Sequence, residues 1–230
     1  MSGPVLVGLL DSGAAESLAP SIAVAASFRL DERGAVAAEE PKPDRVGHGS
    51  SIARTILAAA PSARLAVAQV FHASLSAPPA VVAEGLGWLV AQKVRLVNMG
   101  FGLAADRRVL RSACEAASRA GIILLAAAPA RGADVFPAAY ECVLAVSGDA
   151  RCAPGEVSAL GVGLPRFGAH PRMVDGAAAG ASAAVAWVSG LVAPFLAAAP
   201  QADAEAVARH LTAIARYRGR ERRIDQASPR

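Results

Sequence analysis

The chain has 230 residues and a formal charge of +4, and 54% of its residues are hydrophobic while only 4% are aromatic. This length suits one domain whose core is packed mainly from Ala, Val and Leu. The N-terminus lacks a basic region, which argues against a secretory signal. The three cysteines, Cys114, Cys142 and Cys152, lack metal-ligand spacing and predict reduced thiols in a cytoplasmic protein.

Short apolar runs alternate with segments of helical period along the chain. The runs predicted as strands buried on both faces are VLVGLL (5–10), LAVAQVF (65–71), LVNMGF (96–101), IILLAAA (122–128) and VLAVSG (143–148). The predicted helices cover 47–60, 81–93, 106–121, a segment from Ser182 onward and 202–219, and the charged stretch 30–47 is interpreted as a surface excursion. Strand–helix alternation predicts one α/β domain over 1–230 with a mostly parallel, doubly wound sheet.

The last part of the chain combines a long apolar stretch with a basic end. From Gly176 to Ala202 there is no charged side chain, but the stretch is rich in alanine and contains glycine, serine and proline. A membrane span needs about 20 strongly apolar residues, so a buried helix is favoured and no membrane contact is expected. The basic tail, about 216–230, lacks interleaved aromatic residues and is interpreted as solvated rather than as a nucleic-acid site.

Three chemically suited side chains fall at the ends of predicted elements. Asp11 follows the first strand, His48 begins the first helix between two glycines, and Ser182 begins the apolar helix. Open parallel sheets bind ligands at the carboxyl ends of their strands. An aspartate that orients a histidine, which in turn takes a proton from a serine, is the arrangement used for acyl transfer. The amide of Ser182 at a helix N-terminus could also hold a developing oxyanion.

Seven segments in chain order resemble the motifs of the subtilisin family (S8) of serine peptidases. They are VLVGLLDSG, GHGSSIA, APSARLAVAQV, LVNMGFG, GIILLAAAP, FPAAYECVLAVSG and GASAAVAWVSG, and the terminal RIDQAS is similar to the closing segment of the family. The resemblance implies a three-layer αβα sandwich and a catalytic triad of Asp11, His48 and Ser182. It also implies a peptide or protein substrate.

The chain departs from the family where the oxyanion asparagine is expected. Where the family has Ala-Ala-Gly-Asn, this chain has Ala-Ala-Pro-Ala at residues 127–130. Ala130, which has no side-chain donor, therefore takes the place of the asparagine. Measured in a subtilisin, loss of that donor costs about 100- to 1000-fold in turnover. Pro129 also stiffens the loop and removes an amide, while Arg131 is a candidate source of replacement charge. Attenuated activity is therefore expected.

The resemblance also assigns the substrate-binding residues. Gly100, Phe101 and Gly102 are expected to offer backbone hydrogen bonds to an extended substrate. Val135 stands where the family often has glycine, and with Phe101 opposite it suggests a shallow pocket for small apolar side chains. No carboxylate cluster for calcium is evident in the sequence, so no metal or other cofactor is assigned.

Three functions remain open at this level. The first is a restricted serine endopeptidase, because a general protease without signal or propeptide would damage the cytoplasm; trimming of a leader from a precursor peptide fits this description. The second is a pseudopeptidase that binds a peptide or protein partner, as Ala130 and Pro129 suggest. The third is a transpeptidase or cyclase, although relatives of that kind usually carry a capping insertion that this sequence lacks.

Overall fold

The computed structural model describes residues 3–221. In this part of the chain ten strands form one sheet, in the spatial order β10-β8-β9-β7-β6-β5-β1-β4-β2-β3. The strands are β1 (Leu6–Asp11), β2 (Ile22–Leu30), β3 (Val36–Glu39), β4 (Arg64–Gln69), β5 (Leu96–Met99), β6 (Ile123–Ala127), β7 (Leu144–Gly148), β8 (Val157–Ala159), β9 (Phe167–Ala169) and β10 (Tyr217–Arg218). All neighbouring pairs are parallel except β2–β3 and β8–β9.

Helices cover both faces of this sheet. They are α1 (His48–Ala59), α2 (Pro79–Ala91), α3 (Arg108–Arg119), α4 (Ala181–Ala198) and α5 (Ala204–Ala213). Helices α1, α4 and α5 contribute to one hydrophobic core, and α2 and α3 contribute to a second core on the opposite face. The predicted αβα sandwich with a mostly parallel sheet is therefore confirmed. Because both faces are covered, the central strands are continuous apolar runs rather than alternating ones.

The five predicted strands are confirmed as β1, β4, β5, β6 and β7, with ends that differ by at most two residues. The prediction missed the remaining strands, which lie towards the two edges of the sheet and are mostly short. The stretch 30–47 is not only a surface excursion, because it contains β3, an edge strand paired antiparallel with β2. The predicted helix 202–219 is too long: α5 ends at Ala213 and the chain then forms β10. RIDQAS and the tail from residue 222 onward lie outside the described residues.

Helix α4 is the one helix within residues 3–221 that is long and apolar enough to cross a membrane. It packs against α1 and against strands β5, β6, β7 and β9. Eleven of its residues are buried, including Trp187 and Gly190. The prediction of a buried core helix is thus confirmed. Its apolar composition is explained by this packing between α1 and the sheet.

Candidate active site

Asp11 and His48 form a closely bonded pair at the carboxyl end of β1. His48 Nδ1 lies 2.9 Å from Asp11 Oδ1 and 3.0 Å from Oδ2. Asp11 is fully buried, and its Oδ1 also accepts a 2.7 Å hydrogen bond from the backbone N–H of Ser12. The carboxylate therefore fixes both the orientation of the imidazole and the tautomer in which Nδ1 carries the proton. The other ring nitrogen is left to act on a substrate or a nucleophile.

His48 lies at the first position of α1 because of two local features. Gly47, at the N-cap, has φ = 79°, a left-handed conformation that favours glycine. Asp44 then accepts hydrogen bonds from the amides of Gly47 (2.8 Å) and Ser50 (2.9 Å) and from the Ser50 hydroxyl (2.6 Å). The Ser50 amide belongs to the first helical turn and would otherwise lack a partner. Asp44 was missed at the sequence level, although an acid in the turn before a helix is a recognisable signal.

A close backbone approach joins the Asp11 and His48 segments. A Cβ on Gly49 would lie 2.2 Å from the carbonyl oxygen of Gly13, so only glycine fits here. The amide of Gly49 donates a 2.9 Å hydrogen bond to the hydroxyl of Ser12. The residue after His48 therefore packs directly on the residues after Asp11. This contact explains the need for glycine in the sequence His48-Gly49.

Electrostatics favour a charged imidazole at His48. Burial alone would lower the pKa of His48, but the hydrogen bond and charge of Asp11, together with the charge of Asp44, outweigh it and raise the pKa above its ordinary value. Burial would raise the pKa of Asp44, yet its hydrogen bonds from Ser50 and Gly47 lower it. Asp44 is thus held ionised next to the histidine. An imidazolium formed during proton transfer would be stabilised in this site.

Ser182 lies in the first turn of α4, on the same side of the sheet as His48. Gly180, the N-cap of α4, has φ = 127°. A Cβ on Gly100 would lie 3.4 Å from both His48 Cε1 and Ser182 Cβ, so these two atoms are no more than twice that distance apart. Within the described chain no hydrogen bond joins Ser182 to His48. Such bonds are often long in free enzymes and tighten when substrate is bound. The structure therefore brings the three predicted side chains to one site.

The oxyanion side of the site is built differently. Pro129, Ala130 and Arg131 lie on an exposed loop after β6. Arg131 and Ala130 line two cavities that they share with Pro165 and Arg220. Asp11, His48 and Ser182 do not line either cavity. The geometry thus supplies no contact that would make Arg131 a substitute for the missing asparagine.

The predicted substrate strand follows β5. The backbones of Leu103 and Phe136 exchange hydrogen bonds of 2.7 and 2.8 Å, so this segment is joined to the segment that carries Val135. A Cβ on Gly102 would lie 2.9 Å from Val135 Cγ2, which places Val135 directly against Gly102. The ring of Phe101 instead lies edge-on against Phe71, with centroids 5.3 Å apart. Val135 therefore packs against Gly102, whereas the ring of Phe101 packs against Phe71.

Trp187 on α4 has a structural role. It is 6% exposed, and its Nε1 donates a 2.9 Å hydrogen bond to the carbonyl oxygen of Arg172. This bond holds the loop that precedes Ser182.

Within residues 3–221 no group of three or more His, Cys, Asp or Glu side chains could hold a metal ion.

The family model of the subtilase family (Peptidase_S8) matches residues 3–227. This chain belongs to the subtilase family. This subtilase is 33% identical over 152 residues to the thermostable alkaline protease of Halalkalibacterium halodurans, in a match that covers 61% of this chain and 40% of that protein. It is 26% identical to subtilisin DY of Bacillus licheniformis over 92% of this chain and 83% of that protein. The matched part of this chain thus spans less than half of the length of the first relative and most of the length of the second.

A solved structure supports the fold of this subtilase. The S41 psychrophilic protease superimposes with a TM-score of 0.70 at 20% sequence identity, covering 92% of this chain and 82% of that one. At this level of identity the similarity concerns the fold. The sequence-level recognition of a subtilisin-like protein is confirmed by the family match.

Proposed function

We propose that this subtilase is a serine endopeptidase of restricted specificity, with Asp11, His48 and Ser182 as its triad. The observation that carries the proposal is the pairing of His48 Nδ1 with both Asp11 oxygens, at 2.9 and 3.0 Å. The same imidazole and Ser182 flank Gly100. An oriented histidine between a buried carboxylate and a serine is the arrangement that acyl transfer requires.

The reaction would run through an acyl-enzyme. Ser182 Oγ attacks the substrate carbonyl carbon while His48 Nε2 takes the hydroxyl proton. Collapse of the tetrahedral intermediate breaks the C–N bond, and the amine leaves with the proton from His48. A water molecule then attacks the ester and gives its proton to Nε2. The acid is released as Ser182 Oγ recovers a proton from His48.

Charge on the oxyanion would be stabilised by backbone donors. The N-terminus of the 18-residue helix α4 carries the amide of Ser182 and the positive end of the helix dipole. Ala130 adds no side-chain donor. We therefore expect turnover lower than that of an asparagine-containing subtilisin by about 100- to 1000-fold, the cost measured when a subtilisin loses this donor.

The substrate would be an extended peptide with a small apolar residue on the acyl side of the scissile bond. Gly100 and Gly102 lie just after strand β5, and strand addition at this segment would provide main-chain hydrogen bonds to the substrate. Val135, packed against Gly102, fills space that a large side chain would need. A shallow pocket of this kind restricts the set of cleavable bonds.

We further propose that the substrate is a precursor peptide processed in a reducing compartment such as the cytoplasm. All three cysteines are free, and burial raises the pKa of Cys114 to about 12, which keeps that thiol unreactive. Low turnover and a narrow pocket both suit limited processing. Casein and synthetic precursor peptides with small residues at the cleavage site would be incubated with the enzyme. Rapid, broad digestion of casein would contradict the proposal.

The test of the catalytic proposal is hydrolysis of a peptide library read by mass spectrometry. We expect cleavage after Ala or Val by the wild-type chain and none above background by Ser182→Ala. Ser112→Ala, which removes an exposed serine of α3, is the matched control and should cleave like the wild type. Equal cleavage by wild type and Ser182→Ala would contradict the triad.

A peptide-binding protein without turnover is the second candidate, and Ala130 and Pro129 are the residues that favour it. This candidate predicts that peptides bind tightly at the site while the peptide library remains uncleaved. An unmodified triad is unnecessary in such a binder, so the endopeptidase is preferred.

A further inference from the structure

The loop that leads into Ser182 is fastened to the helix that carries His48. This loop, residues 171–180, is a small hairpin closed by a bridge between Arg172 and Ala179 and by the 3.0 Å hydrogen bond from Met173 N–H to the Ala178 carbonyl. Gly180 N–H donates a 2.7 Å hydrogen bond to the Pro171 carbonyl. The position of the hairpin therefore determines where α4, and with it Ser182, begins.

Asp175, at the tip of this hairpin, bridges to α1. Its Oδ2 accepts a 2.8 Å hydrogen bond from the Ser51 hydroxyl and a 3.3 Å bond from Arg54 Nη1. Its Oδ1 accepts a 3.1 Å bond from the amide of Ala177, which shapes the tip itself. The hydroxyl of Thr55 adds a 3.1 Å bond from the Val174 amide. The three α1 side chains are spaced i, i+3 and i+4, so they share one face of the helix.

The C-terminal end of α1 is already fixed by packing against the middle of α4. A Cβ on Gly190 of α4 would lie 2.5 Å from Ala59 Cβ and 2.9 Å from the Ile56 carbonyl oxygen. The helices α1 and α4 therefore touch without space near Ala59. At the end that carries His48 and Ser182, the charged side chain of Asp175 links the hairpin that precedes α4 to helix α1.

We propose that Asp175 is a positioning residue that sets the distance between His48 and Ser182, an inference that rests on the proposed serine peptidase activity. Asp175 acts through its bonds to α1 rather than on the reacting atoms. Its side chain is 25% exposed and that of Arg54 is 39% exposed, and ion pairs at such positions contribute little to global stability. A misplacement of about 1 Å in a catalytic group can nevertheless cost about 100-fold in rate. Loss of Asp175 therefore lowers reactivity much more than it lowers stability.

The test is the rate at which a fluorophosphonate labels Ser182 in the full chain. We expect Asp175→Ala to lower the limiting labelling rate about 10- to 100-fold, with the concentration for half-maximal rate and the melting temperature close to those of the wild type. Asp175→Asn, which keeps one acceptor oxygen but loses the charge, should lie between the two. Because the charges that raise the pKa of His48 are those of Asp11 and Asp44, the pH midpoint of labelling should not move.

Asp31→Ala is the matched control. Asp31 Oδ1 also accepts amide hydrogen bonds within a turn, from Arg33 and Ala35 at 2.9 Å, but this turn joins β2 to β3 away from the site. It should label at the wild-type rate. Ser51→Ala offers a second variant if Asp175→Ala folds poorly, and the double variant should be no slower than Asp175→Ala alone, because both remove one link.

The possible outcomes separate this inference from the proposed activity. Wild-type labelling with an equally fast Asp175→Ala variant would overturn the positioning role and leave the peptidase proposal intact. A slow variant whose melting temperature falls enough to explain the loss by unfolding would also overturn it. A wild-type chain that is not labelled at Ser182 would overturn both.

Discussion

The two sides of the active site differ in how firmly they are built. On one side, Asp11 is fully buried and the His48 side chain is 10% exposed; the two are hydrogen-bonded to each other, and Asp11 also accepts a bond from the amide of Ser12. On the other side, the loop from Pro129 to Gly132 is exposed along its whole length. Within the described chain, the side chains of Ala130 and Arg131 take part in no hydrogen bond or salt bridge.

This difference separates two parts of the chemistry. In the proposed mechanism, proton transfer depends on the Asp11–His48 side, which keeps a carboxylate, an oriented imidazole and a second acid, Asp44. Stabilisation of the oxyanion depends on the other side, where the side-chain donor is missing. A site of this kind would form and break bonds by the usual steps but at a reduced rate. Disrupting the Asp11–His48 side should therefore lower activity, whereas restoring a donor on the other side should raise it.

The largest expected effect comes from the firmly built side. Gly49→Ala would place a Cβ 2.2 Å from the Gly13 carbonyl oxygen and push the His48 segment away from Asp11. We expect a loss of kcat/KM of at least about 100-fold, measured with a small peptide substrate. The control is Gly87→Ala in α2, where a Cβ would meet nothing within 4 Å. That variant should keep full activity and gain about 0.5 to 1 kcal/mol of stability. Full activity of Gly49→Ala would mean that this contact is unimportant.

The next effect should be a gain on the depleted side. Restoring the donor with Ala130→Asn, together with Pro129→Gly to restore the loop, should raise kcat by about 10- to 100-fold, within the range that one such donor supplies. KM should change little, because the donor acts on charge that develops in the transition state. The single variant Pro129→Gly serves as the control. Unchanged kcat in the double variant would show that oxyanion stabilisation is not the deficit.

A smaller effect is expected at the substrate pocket. Val135→Gly removes the side chain that packs on Gly102 and should deepen the pocket. We expect kcat/KM for substrates with Phe or Leu on the acyl side to rise about tenfold relative to those with Ala. Competition between two peptides in one reaction measures this ratio directly. A ratio equal to that of the wild type would place the pocket elsewhere.

The smallest effect concerns pH. Only neutral His48 can accept the serine proton, so activity should develop as the pH rises through a pKa that lies above the ordinary histidine value. Asp44→Asn removes one of the charges that raise this pKa, so the acid limb of the kcat/KM profile should move to lower pH. The midpoint of Asp203→Asn, a change at the remote N-cap of α5, should stay in place. A shift to higher pH in Asp44→Asn would contradict the assigned electrostatics.

The central strands, and the placement of Asp11, His48 and Ser182 at one site, could be predicted from the sequence because both depend on local signals. Buried parallel strands are continuous apolar runs, and the residues at their carboxyl ends converge on one side of the sheet, as Asp11 and Gly100 do. The edge strands β3 and β10 carry no such run, and β10 has only two residues. Their pairing depends on partners that are distant in sequence.

The supporting residues of the site could not be predicted for the same reason. Asp175 and Ser51 are 124 positions apart, and neither belongs to a motif that would suggest their hydrogen bond. The contact of Val135 with Gly102 likewise depends on the pairing of two loops. The sequence could place Asp11, His48 and Ser182 at one end of the sheet, whereas the distances between them depend on contacts between remote segments.

The most direct test of the proposed triad is to label the intact chain with a fluorophosphonate and then to locate the adduct by peptide mapping. We expect one adduct per chain, on Ser182, with labelling strongly slowed by His48→Ala and absent in Ser182→Ala. An unlabelled wild-type chain, or an adduct on another residue while Ser182 stays unmodified, would contradict it.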